Sequence, residues 1–352
     1  MNKELRKIAT NGFLLFFLVL GLFTAATFNC AAEQIDPSIT AAIKAAPKYG
    51  DVYSVSEHNQ EFDGQVLKVD TLTFQADTEL VIKRSGLGWI AIVAKSIQFA
   101  EPERRNSIVY LPDWIPNRYQ APDQPAAPAQ TSKSQPGDRG AQGAAGWGGA
   151  AGHSGDDAPQ TPVIYLIAEK IVNKTNRPVP EAFNLGFDLR GLPGGDAGNG
   201  GKGSNGGQGG DGGDGDYHSF DRYPTDAGCK KSAGPGGFGG VGGIGGVGGV
   251  GGKGSNGATI YWVGPIKVLE SLRYARTFNQ PGLGGSGGMS GASGATGPFG
   301  ARGSHPGTCG GGEFPGAPVV TPATPLRRER NGDDGVPGLI QEIEKADIGE
   351  FY

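Results

Sequence analysis

In the stretch GGFGGVGGIGGVGGVGGKGSNG, Gly236 to Gly257, the residues Phe238, Val241, Ile244, Val247 and Val250 stand three apart, with glycine in most of the other places. An apolar period of three is neither the 3.6 of an α-helix nor the 2 of a β-strand. It belongs to a left-handed extended helix of three residues per turn and about 3.1 Å rise, in which every third side chain lies on one edge. Glycine loses more backbone freedom on folding than any other residue, so a chain that keeps this pattern must recover the loss elsewhere.

Three other blocks share the period. Gly137 to Asp157 divides as GDR GAQ GAA GWG GAA GHS GDD, and Gly195 to Gly215 as GDA GNG GKG SNG GQG GDG GDG. Each has seven triplets, as has Gly236 to Asn256, and Gly282 to His305 has eight. A disordered linker has no need to keep period or length. Collagen coils three chains with glycine at the axis and proline favoured elsewhere. A polyglycine II bundle instead packs segments of one chain side by side, hydrogen-bonded through their peptide groups. GGX triplets dominate the second and third blocks, and only Pro298 falls in a triplet register. The bundle is therefore expected, with a collagen-like trimer or disorder as the alternatives.

The remaining edge distinguishes the blocks. In the second it carries Asp196, Asn199, Lys202, Asn205, Gln208, Asp211 and Asp214, a polar ridge expected to face water. In the third it is the apolar ridge Phe238, Val241, Ile244, Val247 and Val250, expected to be buried against the strands, another helix or a partner.

The chain has 352 residues, of which 65 Gly and 25 Pro make about a quarter, near the range of low complexity. Lys3, Arg6 and Lys7 precede the apolar run Phe13 to Phe23, which is short for a membrane span and shaped like the apolar part of a signal peptide. Export is the reading adopted, with cleavage after Ala26 or Ala32. An uncleaved anchor and a lipid on Cys30 are the alternatives, the TFN before Cys30 being a poor lipobox. Residues 1–32 hold three Lys/Arg and one Glu, so their removal takes the formal charge from −4 to −6 and leaves no basic patch for nucleic acid. In an oxidising compartment the remaining Cys229 and Cys309 read most simply as one disulfide; free thiols or an intermolecular bridge are the alternatives.

Asp36 and Pro37 open a short helix that stops at Pro47. LKVDTLTF (Leu67 to Phe74), IVAKSIQF (Ile92 to Phe99) and LIAEKIVN (Leu166 to Asn173) share apolar residues at the first, third and sixth places, and a looser copy is IYWVGPIKV (Ile260 to Val268). Each of the first three is followed by a second strand-like run, ELVIK, SIVYL or AFNLGFDL. These are read as coils of a β-solenoid, or else as strands of a small antiparallel sandwich. Leu339 to Ala346 reads as a short amphipathic helix.

Motifs for chemistry mostly fail. GxGxxG recurs as a by-product of glycine frequency, and no P-loop fits at Lys253. GGQGGDGGDGD follows a calcium-binding repeat only as far as Asp211, so Asp211, Asp214 and Asp216 are a weak metal candidate set against a solvated acidic ridge. The histidines His58, His153, His218 and His305 lie in separate segments with no zinc or triad spacing. Trp114, Tyr119, Tyr217, Phe220 and Tyr223 stand in polar turns, as surface-binding residues or as anchors of their own loops.

The GGX blocks resemble the polyglycine II proteins, which include the snow-flea antifreeze protein and the receptor-binding tips of T-even phage adhesins. GAQGAAG and GASGATGPFGARG are similar to bacterial collagen-like surface proteins. The resemblance covers about a quarter of the chain and carries over no binding residue; it implies an extracellular scaffold or adhesin.

The expected fold is all-β: a small β-solenoid with an inserted glycine-rich polyglycine II helix bundle, the alternative being a β-sandwich with collagen-like or disordered insertions. The expected organisation is a signal peptide (1–32), an N-terminal helix (33–50), solenoid coils (51–111), a Pro-rich linker (112–136) and block 1 (137–157). A coil (158–191), blocks 2 and 3 with their connecting loop (192–257), a coil (258–281), block 4 (282–312) and a Pro-rich linker with a C-terminal helix (313–352) follow. The expected role is a secreted, periplasmic or cell-surface structural or adhesive protein, not an enzyme, without cofactor. Its partner is an extracellular surface, a glycan or another copy, with membrane contact only through the signal segment or a lipid at Cys30. A glycan- or ice-binding module and a solenoid enzyme acting on polysaccharide are the rival readings.

Overall fold

The structure is a computed structural model that describes residues 34–117, 121, 124–129, 133–177, 184–218, 228–307, 309–311 and 325–352. Its strands are β1 (Gly50–Val55), β2 (Gln60–Phe62), β3 (Val66–Phe74), β4 (Glu79–Ile82), β5 (Trp89–Phe99), β6 (Asn106–Tyr110) and β7 (Val163–Asn173). They continue with β8 (Leu185–Asp188), β9 (Asp216–His218), β10 (Gly228–Lys231), β11 (Ile260–Gly264), β12 (Arg276–Phe278) and β13 (Ile340–Glu344). The helices are α1 (Pro37–Ala45) and α2 (Ile266–Leu272), with a 3-10 turn at Gly349–Phe351. Asp36 caps α1 by accepting the Ser38 N–H, and Pro37 stands in its first turn.

The strands build two parallel sheets and one small hairpin. One sheet has six strands in the order β1-β3-β5-β7-β11-β13, the other five in the order β12-β8-β6-β4-β2, and β9 pairs antiparallel with β10. Apart from that hairpin, successive strands alternate between the two sheets. The three sequence copies lie in register, Leu67 beside Ile92 and Ile92 beside Leu166.

This layered, α/β-like arrangement corrects the expected all-β solenoid with its polyglycine II insertion, and equally the antiparallel sandwich. The physical reason is in β5 and β7, whose burial is nearly continuous instead of alternating. Parallel strands covered on both faces read that way. One face of the six-stranded sheet packs on the five-stranded sheet through Leu67, Phe74, Phe99, Leu166, Phe187 and Trp262. Its other face, with Val93, Tyr165, Ile167 and Ile343, is covered by Ile43 of α1 and by Ile348 and Phe351 at the C-terminus. Lys68 ties these covers together: it is buried, and its ammonium donates to the carbonyls of Ile43, Lys44 and Phe351.

Two local expectations also change. Residues 340–344 form the strand β13 in place of the C-terminal helix, because β11 offers a parallel edge to pair with and only Ile343 is buried. In the fourth copy the strand ends at Gly264, and Pro265 opens α2 where a strand was expected to continue.

The glycine segments prolong the sheets. The first segment (137–158) leads into β7, the third (234–258) into β11 and a fifth (327–339) into β13, three neighbours in the six-stranded sheet. The second (189–215) follows β8 and the fourth (280–304) follows β12, neighbours in the five-stranded sheet. Backbone hydrogen bonds run in parallel register within each layer, from Gly143 N to Phe238 O and from Gly203 N to Ala292 O. Between layers they run antiparallel, from Gly243 N to Ser204 O and from Gly294 N to Gly243 O.

Candidate functional site

The third segment lies at the middle of its layer, bonded to the first, second, fourth and fifth segments. A Cβ on Gly243 would stand 1.8 Å from the Trp147 carbonyl oxygen, and one on Gly242 2.1 Å from that of Gly294. Two of every three positions must therefore be glycine, and the third side chain has one direction left, outward. The apolar ridge is thus exposed within the chain, which corrects the expected burial against the strands or another helix. Ile244 is 61% and Val247 57% accessible, while Phe238, Val241 and Val250 are half-buried. Stability here comes from backbone bonds, so burial of the ridge is not needed to form the array.

Beside the ridge runs an exposed row from the first segment: Arg139, Gln142, Ala145, Gly148, Ala151, Ser154 and Asp157. Three contacts fix the two rows side by side. The Arg139 guanidinium lies 5.1 Å from the centre of the Phe238 ring, Gly148 abuts Ile244, and the Asp157 carboxylate accepts the Lys253 N–H at 2.7 Å. Phe299 of the fourth segment closes the Phe238 end, with ring centres 6.0 Å apart.

The polar ridge of the second segment is exposed but also does structural work. Asp196, Asn199, Asn205, Asp211 and Asp214 each accept the backbone N–H of the residue 90 positions further on, at 2.7–2.9 Å. Gln208 stands opposite Pro298 at the same offset, and proline has no N–H to give. Ser204, which replaces a triplet glycine, accepts the Trp147 N–H at 2.7 Å. These braces were missed from sequence, because the offset has meaning only once the register between segments is known.

The acidic candidates Asp211, Asp214 and Asp216 are occupied differently from a metal shell. Asp211 braces Ala301, and Asp214 pairs with Lys133 at 2.5 Å and accepts from the Ser304 N–H and hydroxyl. Lys133 and then Ser304 hold the Asp214 carboxyl down to about 2. Among the described residues no group of three or more His, Cys, Asp or Glu is placed to hold a metal ion.

Of the aromatic candidates, Trp114 is half-buried and donates its indole N–H to the Pro193 carbonyl at 3.0 Å. Tyr217 is half-buried in β9, its ring so close to Gly307 that a Cβ there would stand 2.6 Å away. Both are anchored to their own surroundings and are not brought together. Tyr119, Phe220 and Tyr223 lie outside the described residues. Cys229 and Cys309 form a disulfide that closes the far end of the array across a sequence separation of 80.

A second concavity was not legible in sequence. Glu79, Ser107, Gly186 and Arg276 lie in one row across β4, β6, β8 and β12, on the face away from the core residues Leu80, Ile108 and Phe187. Gly186 leaves the floor open, giving a shallow groove of about 280 Å³ bordered by Arg105, Asp188 and Phe278. Asp188 is held by Arg190 at 2.6 Å and Glu79 accepts from the Ser107 hydroxyl, whereas Arg105 and Arg276 form no ion pair among the described residues.

No protein-family model, no curated protein and no solved structure matches this chain. No helix among the described residues is long and apolar enough to cross a membrane.

Proposed function

We propose that the protein is an exported structural or adhesive protein, non-catalytic, in which the glycine array is a rigid platform that presents fixed rows of side chains outside the cytoplasm. The observation that carries this reading is the construction of the array: backbone bonds fill its interior and the ridge side chains, one in every three residues, lie exposed or half-exposed on its outside. A surface of that kind suits contact with another regular surface better than chemistry on a small substrate. Export is supported by the charged and apolar N-terminal pattern, and by a disulfide, which persists in oxidising compartments.

The test is to produce the full chain with a C-terminal tag and determine the location, N-terminus and thiol state of the product. Arrival outside the cytoplasm, a new N-terminus at Thr27 or Glu33 and no free thiol at Cys229 or Cys309 are expected. An intact, cytoplasmic, reduced protein overturns the reading.

A second reading, glycan binding, is favoured by the groove on the five-stranded sheet, which Arg276, Arg105, Glu79 and the half-exposed Phe278 ring line together. Aromatic faces and charged hydrogen-bonding groups together recognise sugars bearing carboxylates. Binding to an immobilised glycan panel that is lost in Arg276→Ala supports it, and binding unchanged in that variant sinks it.

A further inference from the structure

The face formed by the first and third segments is a ridge beside a furrow. Ile244 and Val247 stand proud, and parallel to them run Ala145, Gly148 and Ala151, whose side chains are the smallest available. A continuous apolar row of this length on a soluble protein marks an interaction surface. Placing a two-fold axis along the rows lays the ridge of one copy in the furrow of the other. The same operation sets Lys253 of one copy against Asp157 of the other, twice, because these residues are neighbours at one end of the face. At the opposite end it carries each Arg139 to the other copy's Phe238, a pair that already attract within one chain. An axis across the rows would instead put ridge on ridge.

We propose that a second copy of this chain covers this face, making an isologous dimer through the ridge of Phe238, Val241, Ile244, Val247 and Val250 and the furrow at Ala145 to Ala151. Shape and charge both match under one operation, as a self-complementary patch requires. Seven triplets make the face roughly 60 Å long. Two segments make it about 10 Å wide, so a pair buries on the order of 1,200 Å², the lower edge for a specific interface. The proposal deepens the platform reading by naming the platform's partner, and it rests on the exposure of the ridge, not on export.

The experiment is sedimentation of the disulfide-bonded full chain across concentrations up to about 100 μM, beside Ile244→Asp, Val247→Asp and Ala151→Arg. The unmodified chain is expected to dimerise, and each variant to associate at least about tenfold more weakly. Thermal melting measured well below the dimerisation range should be unchanged in all three, since the altered side chains project outward. A monomer throughout, or a dimer indifferent to all three variants, overturns the proposal. So does a monomeric chain whose face instead binds ice crystals or an immobilised glycan and loses that binding in Ile244→Asp. Export is read separately from the N-terminus, so a monomeric but exported product sinks the dimer and leaves the platform reading standing.

Discussion

Between the two sheets, Phe74, Phe99, Leu166 and Phe187 fill the space with rings and branched side chains, and Phe74 stacks on Phe99 with ring centres 5.4 Å apart. Further along the same two layers there are almost no side chains between them. The N–H of Gly243 meets the Ser204 carbonyl at 2.8 Å and the N–H of Gly294 meets that of Gly243 at the same distance. The sheets are thus held apart by a packed apolar core and the segments are pulled together by backbone bonds. Leu189 and Ala258 mark the taper, the last core residues before the chain turns to glycine. Burial drives the first region and direct pairing of peptide groups organises the second, so the two should fail under different insults.

The sharpest test of that contrast compares one added methyl group with one deleted ring. Gly243→Ala places a carbon within 1.8 Å of the Trp147 carbonyl oxygen, and the lattice has no flexible side chain to move aside. A loss above about 4 kcal/mol, or failure of the array to form, is expected. Phe187→Ala, in the middle of the core, removes a large side chain yet should cost about 3–5 kcal/mol, because partial collapse relieves the cavity. Denaturant unfolding ranks the two; a Gly243→Ala protein as stable as the parent would show that the layers are not in direct contact.

Reducing or replacing the Cys229–Cys309 bridge comes next, at about 2–4 kcal/mol. Because the bridge lies at the end of the array far from β5, hydrogen exchange should rise first in residues 195–215 and 282–304. Faster exchange in β5 and the segments together would mean that the molecule opens as one unit and the contrast has no thermodynamic content.

How far the sequence discloses these two regions follows from their physics. The strand copies are visible because Leu67, Ile92 and Leu166 repeat a pattern, and the structure sets them in register. The layered class was hidden, since a solenoid reading fits the same copies and only the double burial of β5 and β7 reveals that helices cover the outer face. The triplet period is local and could be counted, but which edge is buried is not local. In the third segment the four neighbouring segments take both glycine edges, so the ridge that looked destined for a core points into solvent. The groove at Gly186 draws its residues from four strands between positions 79 and 276 and leaves no contiguous signal.

The braces between the second and fourth segments give a smaller effect. Asn199→Ala removes the acceptor of the Met289 N–H at an exposed site, where water substitutes, so about 0.5–1.5 kcal/mol is expected. Gln208→Ala, opposite the proline, should change stability less. Equal losses at the two sites would mean that the 90-residue register does not decide what the polar row does.

The smallest expected effect is a pH dependence confined to the array. Asp214 has its carboxyl lowered from an ordinary 3.8 to about 2, first by the Lys133 ammonium and then by Ser304. A carboxyl depressed in the folded state contributes stability that is present above its unfolded value and is lost as pH falls through its folded one. That contribution should therefore be intact at neutral pH and fade between about pH 4 and pH 2. Asp214→Asn keeps an oxygen for the Ser304 N–H but gives up the charge, so its melting temperature should sit slightly below the parent's at neutral pH. The two curves should converge as the parent's carboxyl takes up its proton. Screening weakens an exposed pair, so high salt should shrink the gap at neutral pH as well. A gap that stays constant down to pH 2, or one that widens in acid, would show that the brace is held by its hydrogen bonds alone and that charge adds nothing to the array.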